Sequence, residues 1–187
     1  MSPVPPRLPR RPARPRLPAP NRRWLIVNAL LATAVINVIV NAAIAWLGVS
    51  GQGAVPFWGT PLVETSIVWN LVGTLFLLPL ITCVLATSAI RRDLRRGSLE
   101  PLGLPRSTRH RLGALPSTRP ARGAVLGAIA VITLAPPLIL VLALAGPSEL
   151  GKEQFIACQT AFAVALGIFV TPLVALCAMA DPPPGDG

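Results

Sequence analysis

Four stretches without a charged residue decide what this chain can fold into. They run Trp24 to Leu47, Ser66 to Ile90, Ala124 to Ala145 and Phe155 to Ala180, which is 24, 25, 22 and 26 residues. A bilayer core about 30 Å thick is crossed by roughly 20 apolar residues rising 1.5 Å each. Helix is the one open-chain structure that satisfies its own backbone in lipid. A helix lying on a soluble core needs a polar stripe, and these blocks show none. The expected fold is all-α: a polytopic membrane protein of four transmembrane helices, spanning about 24–47, 66–90, 124–145 and 155–180.

The other segments follow by subtraction. Residues 1–23 form a Pro/Arg-rich tail, expected to be disordered and partly polyproline II. Residues 91–123 form a basic loop, and 181–187 a short Pro-rich tail. Residues 48–65 and 146–154 are the remaining connections. The first block exceeds the 7–15 apolar residues of a signal-peptide core, so an uncleaved helix is expected.

Charge sets the expected orientation. The chain has 17 basic and 7 acidic residues, a net +10. Seven Arg precede the first block and nine lie between Arg91 and Arg122; Lys152 alone lies elsewhere. The positive-inside rule then places both termini and the 91–123 loop in the cytoplasm. Sixteen Arg against one Lys, with much Ala, Pro and Gly, suggests a GC-rich bacterial genome, hence a bacterial cytoplasmic (inner) membrane. The expected partners are the lipid bilayer and its anionic headgroups, where each basic residue contributes about 1 kcal/mol. No aromatic residue is interleaved with the Arg, so nucleic acid is not expected. Trp24 on one side, and Trp46 and Trp58 on the other, match interfacial anchors.

Within the blocks, the polar residues are few. Asn37 and Asn41 lie four apart on one face, as do Asn70 and Thr74. Both pairs are expected to face other helices, either as packing contacts or as a polar site. One specific expectation is that Asn37 or Asn41 donates to a carbonyl freed by Pro79 or Pro136. Pro79, the pair Pro136 and Pro137, and Pro172 are expected to kink the second, third and fourth helices. Gly123 and Gly127, and Ala157, Ala161 and Ala165, have the small-xxx-small spacing of helix contacts, within one chain or in a homo-oligomer. Glu64 is the expected cap of the second helix.

Catalytic signals are missing. Cys83, Cys158 and Cys177 all fall in spans, with no metal-ligand spacing, and the single His110 lies in the basic loop. No metal, no cofactor and no enzymatic activity are expected. Phe76-Leu77-Leu78-Pro79-Leu80 and Phe169-Val170-Thr171-Pro172-Leu173 share F-x-x-P-L, which fits either a duplicated hairpin or chance.

Val55-Pro56-Phe57-Trp58-Gly59 and Phe76-Leu77-Leu78-Pro79, with Asn37 and Asn41 upstream, resemble small bacterial four-helix membrane proteins over roughly residues 28–90. The resemblance implies a four-helix membrane fold and no particular activity. The leading functional expectation is a non-enzymatic helper or scaffold binding membrane-protein partners or lipids. The alternative is a small permease for a neutral or apolar solute. Orientation is directly testable: a cysteine placed at Ser107 should react with a membrane-impermeant maleimide only after the cytoplasmic face is opened. Reaction in intact cells overturns the assignment.

Overall fold

The computed structural model describes residues 17–60, 64–102, 116 and 118–180. The Arg-rich tail before residue 17, Ser107 and His110 in the basic loop, and the 181–187 tail lie outside the described residues. The molecule is built almost wholly of helix. The first helical run comprises α1 (Ala19–Trp24), a π-helix (Leu25–Ala32) and α2 (Thr33–Gly48). Then come β1 (Ala54–Pro56), α3 (Ile67–Arg95), α4 (Arg119–Ala145), β2 (Glu149–Gly151) and α5 (Lys152–Ala180). Three helices, α3, α4 and α5, are each long and apolar enough to cross a bilayer. At about 1.5 Å per residue, the 29 residues of α3 reach about 43 Å.

Helix boundaries depart from the apolar blocks for identifiable reasons. α1 begins inside the expected tail, after Pro18 with Pro20 in the first turn, where a missing N–H costs nothing. Asn21 is fully buried there, its amide nitrogen donating to Glu100 O at 2.8 Å and its oxygen accepting from Glu100 N at 3.1 Å. Ser66, rather than Glu64, caps α3: its hydroxyl accepts from Trp69 N at 3.4 Å. At the other end α3 continues past the apolar block through Arg91, Arg92 and Arg95. It stops where Gly97 takes φ +70°, with Ser98 N donating to Asp93 O and Gly97 N to Leu94 O. That pair of bonds is a Schellman motif, for which glycine is the favoured residue.

The runs alternate in direction, and their ends are tied. At one end β1 pairs antiparallel with β2, Val55 opposite Leu150, joining the two short connections. Lys152 lies 5.3 Å over the Trp46 ring beside this strap. At the other end Asn21 meets Glu100 and Met179, and Leu102 N donates to Met179 O at 3.0 Å. All the described Arg lie toward this second end, and Lys152 toward the first.

The core between the ends is centred on α3. Leu71, Leu75 and Leu78 pack with Ala135 of α4 and with Ala163 and Leu166 of α5. The first run packs on α5 instead. Gly123 and Gly127 are what bring α4 against α3. A Cβ at Gly127 would stand 2.6 Å from Phe76 O, and one at Gly123 2.8 Å from Leu80 Cα. Ala157, Ala161 and Ala165 are each exposed, so among the described residues none of them is buried in a helix contact. The two F-x-x-P-L segments also differ: Phe76 packs against Gly127, whereas Phe169 is 78% exposed. Gly127→Ala should force α3 and α4 apart and cost about 1–3 kcal/mol. Gly73→Ala, with nothing within 4 Å of its Cβ, should leave the detergent melting temperature unchanged.

Candidate functional site

Because the first run packs on α5, and α5 on α3, the first run and α3 are left apart. Between the first run and α3 runs a groove of about 570 Å3, floored by α5. Small-molecule sites occupy roughly 300–1,000 Å3. Its walls are Ile36, Val40 and Ile44 on one side and Leu77, Ile81 and Leu85 on the other. Gly73 widens it by carrying no side chain.

All four polar residues singled out from the sequence line this groove: Asn37, Asn41, Asn70 and Thr74. Asn41 Nδ2 donates to Asn37 O at 3.0 Å and to Asn37 Oδ1 at 3.1 Å. The bond is therefore within one helix. It does not run to a carbonyl near Pro79 or Pro136; Pro136 lies on α4, which is not the helix that α2 packs against. Asn37 itself lies against α5, its Nδ2 only 2.5 Å from where a Cβ on Gly167 would be. Thr74 Oγ1 donates to Asn70 O at 2.8 Å and accepts from Gln159 Nε2 at 2.6 Å. Gln159 thus joins α5 to α3 through Thr74.

These groups share one level. Asn41 lies seven residues from Gly48, Thr74 seven from Ile67, and Gln159 seven from Lys152. Each is therefore about 10 Å along its helix from the strapped end. Asn70, one turn nearer that end, completes the belt. Among the described residues, Asn70 Nδ2 donates to nothing and Gln159 Oε1 accepts from nothing. Deeper in the groove, Thr171 is 3% exposed and its hydroxyl has no partner.

The groove is closed at both ends by bonds between its two walls. Trp24 Nε1 donates to Asp93 Oδ2 at 2.8 Å at the Arg-rich end. Thr65 Oγ1 donates to Gly48 O at 2.8 Å at the strapped end. The long middle between them has no such tie among the described residues, and Ile36, Ile44, Ile81 and Leu85 there are more than half exposed.

Gln159 and Thr171 escaped the sequence reading. The signal for Gln159 was present, since it is the only amide in the fourth apolar block. Pro79, Pro136, Pro137 and Pro172 all sit inside helices, and Pro79 is fully buried. Comparison with protein-family models, with curated proteins and with solved structures finds no match. The groove therefore stands on its own geometry. Thr74→Val should remove the link to Gln159 and lower unfolding free energy by about 0.6–2 kcal/mol in bicelles. Thr133→Val is the control, because Thr133 bonds only Ile129 O of its own helix.

Proposed function

We propose that this protein is a non-enzymatic, four-span helper of a bacterial cytoplasmic membrane that holds another membrane component in its lateral groove. The unpaired faces of the first run and α3 carry this reading. In a soluble protein such a mixed polar and apolar cleft would fill with water. In a bilayer its mouth opens to lipid and to neighbouring helices. The first run, Ala19–Gly48, serves as the fourth span, since its 30 helical residues reach about 45 Å. The prolines inside α3, α4 and α5, of which Pro79 is buried, kink their helices.

The Arg-rich end, with both termini, is the cytoplasmic one. Its basic residues lie at the level of anionic headgroups. A second reading, a permease for a neutral or apolar solute, draws on the length of the groove. It extends from the Ala45 level to Trp24 and Asp93, near both helix ends. Purification from native membranes in mild detergent separates the two. A helper retains a stoichiometric membrane component that Gly73→Trp releases. Equal retention by both proteins overturns the helper reading. A lone oligomer with nothing bound favours the permease.

A further inference from the structure

We infer that the groove is a binding site for a bilayer glycerolipid, one acyl chain lying along it with an ester carbonyl at the polar belt. This rests on the four-span reading and names the component that the groove holds. Three observations point to an acyl ester rather than to a helix or a solute.

The first is depth. A helix of about 43 Å centred in a core of about 30 Å projects about 6 Å beyond it at each side. The belt, about 10 Å from the helix ends, then lies about 4 Å beneath the core boundary, close to where lipid ester linkages sit. The second is chemistry. The belt is neutral and rich in amides, with Asn70 Nδ2 a donor that no described residue occupies. A carbonyl oxygen is what such a donor takes up. Asp93, the one acid in the lining, sits at the Arg-rich end with Trp24, so the belt itself offers no charge for an ionic headgroup.

The third is shape. From Thr74 to Leu85 along α3 is eleven residues, or about 16 Å, against about 15 Å for one leaflet's half of the core. Over that length the lining is Leu77, Leu78, Ile81 and Leu85, facing Ile36 and Val40. A chain entering sideways from one leaflet meets walls that are mostly apolar, with Asn37, Thr33 and Thr82 the polar side chains along them, and reaches the buried, unpartnered Thr171 hydroxyl only deeper in the groove. A partner helix, about 10 Å across with its side chains, would need the walls moved apart against the ties at Asp93 and Gly48.

The test uses the full-length protein in liposomes of phosphatidylglycerol doped with the same lipid bearing a mid-chain diazirine. After illumination, adducts should concentrate on residues 36–44 and 73–85 rather than on Ile132 and Leu144 of the outward α4 face. Gly73→Trp should abolish the groove adducts, and so should Gly73→Leu, which enters open space and so spares the fold. Asn70→Leu should lower them about threefold, the weight of one membrane hydrogen bond. Adducts equal on both faces and indifferent to Gly73→Trp would reveal annular lipid only and overturn the site together with the helper reading. A photoreactive diazirine amino acid at Leu77 that, in native membranes, joins the groove to a partner helix or a second copy instead of to lipid overturns the lipid assignment and leaves the helper reading standing.

Discussion

Lipid removes the drive that presses apolar helices together in water, because a lipid tail is as apolar as a leucine. What holds these helices is close backbone approach and a few hydrogen bonds at their ends. Gly123 and Gly127 let α4 settle onto the backbone of α3 at Leu80 and Phe76. Gly167 of α5 leaves room for the Asn37 side chain of α2. Everything else in the arrangement follows from which helices can come this close. The first run and α3 have no glycine contact of this kind between them, and there the groove forms.

The expensive groups are placed consistently with this. An amide in hydrocarbon must find a partner. Asn41 finds one in Asn37 and Thr74 finds two, in Asn70 and Gln159. Each bond either stays within a helix or crosses to α5, and none crosses the groove. The walls are therefore stabilised without being drawn together, and the remaining donors stay available on the inside.

Much of this was legible in the sequence. Blocks of 22–26 uncharged residues dictate apolar helices, and spacings of four put Asn37 with Asn41 and Asn70 with Thr74 on common faces. Gly123 and Gly127 marked a close approach through their spacing alone. The partners of these groups were not legible, because helix order is a long-range property. Asn41 turned to its own helix since α4 was not its neighbour. The strap between β1 and β2 was also hidden: three residues each, with Pro56 in one, make no strand pattern. Gly97 carried a readable stop signal, but the Arg91-to-Arg96 charges outweighed it in a reading that ended the helix where the apolar block ended.

The strap has a mechanical consequence. Three paired residues per strand couple the connection after the first run to the connection before α5. The first run already rides on α5, and α4 on α3. α5 in turn packs on α3, so the helices stand in a row with the first run at one edge, and the groove is the gap between the first run and α3. A load that lifts the first run from α3 must part Thr65 from Gly48 at the strapped end, or pull Trp24 from Asp93 and Asn21 from Glu100 at the other. Three side-chain bonds hold the Arg-rich end and one holds the strapped end beside the ladder, so the groove is pinned at both ends and yields most in its untied middle.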